Sequence, residues 1–217
     1  MLALLMRREI SIAWGRGGGP LLAVAFLIAA ASLVPLSLGP APGPLSAAAI
    51  GVTWVALVLA TLLSLDRLFQ HDLEDGCLDL LALGAPPLEA VCAVKCVASW
   101  LVNGAPLAVA APAAAIALGA APSSAIQIAV AALTGGIAFA FVGGAGAAIA
   151  LVSRRGGVLM AVIVLPLLIP PVIFGGALMA TGSAGASQAL ALLLAYALAS
   201  VALAPFAMAA ACRNALG

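Results

Sequence analysis

Charge is what this sequence has least of. Only 7% of its 217 residues are Asp, Glu, Lys or Arg, against about 25% in a soluble domain. There is one His (His71), one Lys (Lys95) and one Tyr (Tyr196). These shortages exclude several activities. The chain has no G-x-x-x-x-G-K-[ST] phosphate cradle, because its one Lys sits in AVCAVKC. It has no H-E-x-x-H metalloprotease motif either. The long apolar stretches hold no base or carboxylate pair for serine or acid catalysis. No ionisable residue is expected in mid-membrane, which disfavours a proton-coupled or ion-coupled transporter. The chain is therefore not expected to be an enzyme, and the energy for any work it does must come from another protein.

What is present in excess is hydrocarbon. Hydrophobic residues make up 66% of the chain, and the mean hydropathy is +1.31. A bilayer core about 30 Å thick takes about 20 apolar residues per helix, and the chain supplies about six such stretches. The expected fold is an all-α polytopic membrane protein in one domain, residues 1–217. Basic residues fall at Arg7, Arg8, Arg16, Arg67, Lys95, Arg154, Arg155 and Arg213. The intervals Gly17–Leu65, Cys96–Ser153 and Gly156–Cys212 between them carry no charge. Each interval reads as a two-span hairpin, so every charged cluster falls on one face. The Lys/Arg bias makes that face cytoplasmic, with both termini inside. The cysteines at 77, 92, 96 and 212 then lie on or near the reducing side, and no disulfide is expected. Cys92 and Cys96 are one turn apart, a spacing that suits either a metal or a chance pair of small apolar residues.

Taken in order, residues 2–14 form an amphipathic helix. Leu2, Leu5, Met6, Ile10, Ala13 and Trp14 share one face, with Arg7, Arg8 and Ser11 opposite. This helix is expected to lie in the interface, with residues 1–19 comprising it and a glycine-rich bend. No cleavable signal peptide is expected. Spans follow at about Pro20–Leu38 and Ser46–Leu65, joined by a charge-free outer turn, Gly39–Pro44. The third span starts near Glu89, with Lys95 and Trp100 marking the membrane surface and Pro106 and Pro112 bending it. The fourth, about Ala125–Val152, places Gly136, Ala140, Gly144 and Ala148 at four-residue spacing, which allows close helix approach. The fifth, about Val158–Ala180, holds Pro166, Pro170 and Pro171 and is expected to bend as a hinge or as a fixed kink. The sixth covers about Gln188–Ala211.

Residues 66–95, DRLFQHDLEDGCLDLLALGAPPLEAVCAVK, are the one long polar interval. Six of the seven acidic residues lie there: Asp66, Asp72, Glu74, Asp75, Asp79 and Glu89. The second span is expected to continue as a stalk and stop at Gly76, a left-handed helix cap. A short helix, Leu78–Leu83, would follow until Pro86-Pro87. The stripe Leu68, Phe69, Leu73, Leu78 and Leu81 suggests docking rather than mere solvation.

The pattern Asp72-x-Glu74-Asp75-Gly76-x-Leu78-Asp79-x-Leu81, followed by Pro86, Glu89 and Lys95, resembles the coupling-helix loop of ABC-2 type permeases. More narrowly, three stretches resemble the heme exporter protein B family, the permease subunits of the cytochrome c maturation ABC transporter. They are PLSLGP (Pro35–Pro40), DRLFQHDLEDGCLDLL (Asp66–Leu81) and RRGGVLMAVIVLPLLIPPVIFG (Arg154–Gly175). With the matching length and amphipathic N-terminus, the resemblance covers nearly the whole chain. It implies a homodimer of six-span subunits in the bacterial inner membrane, bound to ATP-binding subunits that alone hold ATP. A heme-handling membrane protein and a small single-span subunit would be further partners, with membrane lipid around them and no nucleic acid. Heme would be the transported ligand, moved or released toward the periplasm. Asp72, Glu74, Asp75, Gly76, Leu78, Asp79 and Leu81 would couple the permease to the ATPase. His71 would be at most an entry ligand for heme, and a solvated stalk histidine is its plainer role. Met160 and Met179 either line a route or pack. A permease for another cargo (lipid, glycan or drug) and a non-transporting membrane anchor for the ATPase remain the alternatives.

Overall fold

A computed structural model of the chain describes residues 1–15, 19–38, 42–65, 68–151, 156–180 and 183–216. Arg16, Asp66, Arg67, Arg154, Arg155, the first half of the Gly39–Pro44 turn and the Met160 side chain lie outside the described residues. Among those described, every regular element is a helix. They are α1 (Leu2–Gly15), α2 (Gly19–Leu38), α3 (Pro42–Leu65), α4 (Gln70–Glu74), α5 (Cys77–Leu83), α6 (Leu88–Ser99), α7 (Ala105–Ala117), α8 (Ala125–Ala150), α9 (Gly156–Ala180) and α10 (Ser183–Leu216). A π-helical turn, Trp100–Gly104, joins α6 to α7.

Among the described residues, five stretches are long and apolar enough to cross a bilayer: those built on α2, α3, α6 with α7, α8, and α10. Where the sixth span is expected, α9 is an apolar helix of 25 residues. The chain is a polytopic membrane protein.

α8 is the centre of the bundle, packed against α3, α7, α9 and α10. Lipid is as apolar as leucine, so helices in a membrane are held by close contact rather than by escape from water. The small-residue stripe of α8 serves that need. A Cβ at Gly144 would lie 2.6 Å from Cys96 Sγ and 3.3 Å from Met208 Sδ, and one at Gly143 would lie 2.6 Å from Leu65 Cδ1. Ala140 and Ala148 are buried in the same way.

Backbone groups in hydrocarbon need partners, and the polar side chains inside the bundle meet that demand. Thr53, Thr61 and Thr134 donate to the carbonyls of Ala49, Leu57 and Val130 in their own helices, at 2.8, 2.9 and 2.7 Å. The Trp54 indole donates to the Val172 carbonyl at 3.0 Å, pinning α3 to α9. Pro171 has no N–H to offer Leu167, one turn back. The Tyr196 hydroxyl of α10 donates to that Leu167 carbonyl instead. The proline-rich α9 is thus braced from outside and runs unbroken from Gly156 to Ala180. Met179 is buried and packs in the core.

The junction between the second span and the expected stalk, Asp66-Arg67, lies outside the described residues; beyond it Leu68 and Phe69 lie in a turn before α4 begins. The turn carries Phe69 into the core, where it is 1% exposed. Trp100 is half-buried. Its indole lies over Gly104 and donates to the Leu133 carbonyl of α8 at 3.3 Å. The wide π turn beneath it directly precedes Pro106, whose ring conflicts with the carbonyl one α-turn back.

Candidate functional site at the charged end of the bundle

α1, α4, α5 and the first turns of α6 gather at one end of the molecule, and the ion pairs of the described residues lie there. Lys95, on α6, is 2% exposed, and Asp72, on α4, is 3% exposed. A lone buried ammonium or carboxylate would be driven to neutrality, so each needs a partner. Lys95 Nζ lies 2.5 Å from Asp72 Oδ2 and 2.7 Å from Glu9 Oε2. Arg8 closes the figure, 3.0 Å from Asp72 Oδ1 and 2.8 Å from Glu9 Oε1. The result is a four-membered ring of alternating sign, Arg8–Asp72–Lys95–Glu9. The Phe69 ring lies 5.8 Å from Lys95 Nζ and completes its enclosure. Burial opposes the Arg8 charge, but the hydrogen bond and charge of Asp72, with the charge of Glu9, outweigh it. The guanidinium pKa therefore lies above its ordinary value.

Gly76 separates α4 from α5 with φ 68° and ψ 8°, the left-handed conformation expected of it. This bend decides which side of α5 faces the bundle. Leu78 is buried at 1% exposure and Leu81 packs against the core, whereas Leu80 and Leu83 are 72% and 86% exposed. Glu74, Asp75 and Asp79 also face outward.

The seven residues expected to couple to an ATPase are thus sorted by the structure. Glu74, Asp75 and Asp79 share the outer face with Leu80 and Leu83. Asp72 and Leu78 turn inward, and so do Phe69 and much of the apolar stripe expected to dock. His71 Nε2 lies 3.2 Å from Asp75 Oδ2, one turn along. Arg213, at the end of α10, pairs with Glu89 at 2.7 Å and ties the last helix to α6. The four cysteines are free thiols, and the described residues hold no His/Cys/Asp/Glu group arranged for a metal.

Beside the ring, between α1, α3, α4 and α6, lies a cleft of about 460 Å³ that opens to the surface past exposed Gln70 and Glu74. Lys95, Ser99 and Asn103 line it at one-turn intervals along α6 and the π turn. Sequence reasoning missed the ring because it placed Arg8 on a polar interface face and Lys95 at the surface. One signal was available: Lys95 is flanked by Val94, Cys96 and Val97, and a cation in so apolar a setting needs a buried counter-ion.

With this arrangement in view, the comparisons with known proteins are decisive. The profile of the CcmB protein family matches residues 1–215. The chain belongs to the CcmB family. Among its curated relatives, heme exporter protein B of Paracoccus denitrificans is 46% identical over 215 residues, covering 98% of both chains. The protein of that name from Bradyrhizobium diazoefficiens is 42% identical, covering 99% of this chain and 98% of the relative. The Escherichia coli K12 protein is 38% identical over 190 residues, covering 87% and 86%. The CcmB match spans both the ring and the α4–Gly76–α5 unit, so these features belong to a membrane component of the CcmB type.

Proposed function

We propose that this chain is the membrane permease subunit of an ATP-driven heme-handling complex for cytochrome c maturation. A separate subunit would hydrolyse ATP, and heme would be moved or released at the periplasmic side. In this reading the chain works as a homodimer of six-span subunits in the bacterial inner membrane, with both termini cytoplasmic. A heme-handling membrane protein and a small single-span subunit complete the complex. The names of the relatives support the heme assignment. The absence of a nucleotide-binding motif supports a separate ATPase.

The observation that carries the coupling role is the outer face of α5. On this short helix two leucines, 72% and 86% exposed, stand with the outward Asp79, and the outward carboxylates Glu74 and Asp75 precede it at the charged end. Water gains nothing from Leu80 and Leu83, but a groove on a partner does. The docking helix is therefore read as presenting Leu80 and Leu83, with Glu74, Asp75 and Asp79 around them. Asp72, Gly76, Leu78 and Leu81 fix its pose from within.

The test is a deletion strain scored for c-type cytochromes with covalently bound heme. It is complemented with the intact chain or with Asp75→Lys plus Asp79→Lys. Loss of the cytochromes on deletion, restored by the intact chain alone, is the expected result. Persistence of the cytochromes without the protein would remove heme from the reading. Full restoration by the double variant, with the ATPase still co-purifying, would remove the docking role.

A further inference from the structure

We infer that Arg8 of α1 fixes the angle between α4 and α5, and so the direction in which the docking face points. The inference rests on the coupling role given to α4 and α5, and it adds a positioning residue that lies on neither helix.

The α4–Gly76–α5 unit does not hold its own shape. α4 has five residues and α5 has seven, and neither carries a side-chain cap at its N-terminus. Helices of one or two turns do not persist in isolation. Between them stands Gly76, and glycine restrains the backbone less than any other residue. A Cβ there would meet nothing within 4 Å, so the bend is not held by packing on that side. Phe69 before α4 and Leu78 on α5 are both buried. Apolar burial is non-directional, however, and it sets depth rather than angle.

Arg8 supplies the direction. Its Nη2 donates to Asp72 Oδ1 at 3.0 Å and to Cys77 Sγ at 3.4 Å. Asp72 belongs to α4 and Cys77 is the first residue of α5, so one nitrogen bridges the glycine. Its Nη1 donates to Glu9 Oε1 at 2.8 Å. Glu9 in turn pairs at 2.7 Å with Lys95 of α6, which also holds the second oxygen of Asp72. The fork is therefore seated on α6 and reaches both sides of the bend. A planar guanidinium presents these donors in a fixed geometry. An ammonium in its place is a point charge and does not span from Asp72 to Cys77.

The experiment is hydrogen exchange read by peptide mass spectrometry on the full chain in lipid nanodiscs, with α8 as the internal standard for the fold. Arg8→Gln should speed exchange in α4 and α5 by about tenfold or more, the scale of losing a hydrogen bond to a charged group. Protection in α8 should not change. Arg8→Lys should speed α5 and spare α4, because it keeps the Asp72 pair and loses Cys77. Cys77→Ala should speed α5 in the parent and add little in Arg8→Gln, since both remove the same contact. Arg7→Gln removes the neighbouring exposed cation and should match the parent. In a second arm, Arg8→Gln should weaken binding of the purified ATP-binding subunit by a similar factor, although residue 8 is not on the docking face.

Parent-like exchange in Arg8→Gln, or equal acceleration in Arg7→Gln, would overturn the inference. Should Arg8→Gln also lose α8 protection, the comparison passes to Arg8→Lys, where a parent-like rate in α5 would overturn it too. Faster exchange with unchanged affinity for the ATP-binding subunit would overturn the orienting role. Failure of the parent chain itself to bind that subunit would reject the coupling role, whatever the exchange shows, so the two failures are told apart.

Discussion

At the residue scale, the burial of Lys95 explains more of this end of the molecule than any motif does. Its ammonium is 2% exposed between two carboxylates. Lys95→Met would leave Asp72 and Glu9 facing each other without a cation between them. Breaking a buried ion pair by removing one partner costs about 3–5 kcal/mol, and that loss should appear as lower thermal stability of the detergent-purified chain. Gly76 makes a different kind of demand. A Cβ there would meet nothing within 4 Å, but φ is +68°. The left-handed region costs an L-residue about 1–2 kcal/mol, so Gly76→Val should weaken α5 placement by that amount. Gly76→Asn should stay closer to the parent, because Asn tolerates this region best. Limited proteolysis between α4 and α5 would read the difference.

At the element scale, α9 runs unbroken through three prolines, and the Leu167 carbonyl that Pro171 leaves without a donor is answered from α10 by the Tyr196 hydroxyl. Tyr196→Phe keeps the ring but orphans the Leu167 carbonyl. Interhelical hydrogen bonds in membranes are worth about 0.6–1.7 kcal/mol, and the unfolding midpoint should fall accordingly. The α3–α9 contact offers an internally controlled pair. A Cβ at Gly175 would lie 2.2 Å from Trp54 Cζ2, whereas one at Gly176 would meet nothing within 4 Å. Gly175→Ala should therefore displace the indole from the Val172 carbonyl and destabilise by about 1–3 kcal/mol. Gly176→Ala should be silent. Tryptophan fluorescence with Trp14 and Trp100 replaced by Phe would report the displacement.

At the scale of the whole molecule, the question is which leucines hold the fold and which are offered to a partner. Leu78 is 1% exposed, and truncating a buried leucine costs about 2–5 kcal/mol; Leu78→Ala should lower stability within that range. Leu80→Ser with Leu83→Ser should leave the melting behaviour intact yet abolish co-purification with the ATPase. Loss of stability in the second variant, or retained co-purification, would contradict the assignment of the outer face.

The segment Cys77–Leu83 shows where sequence reading stopped. CLDLLAL carries leucines at 78, 80, 81 and 83, which cover both sides of a two-turn helix. Periodicity locates such a helix but does not choose its buried side. That choice came from Gly76, whose angle rotates α5 against the bundle. Elsewhere the sequence by itself determined a great deal: the helical membrane fold, the polar 66–95 interval and the left-handed Gly76. These follow from composition, from the length of apolar runs and from local backbone preference, all short-range properties. Only the tertiary structure decided that Arg8, Glu9, Asp72 and Lys95 form one ring. The four come from places as far apart as residues 8 and 95, and in so low a dielectric each charge is tolerable only where the fold delivers its counter-charge.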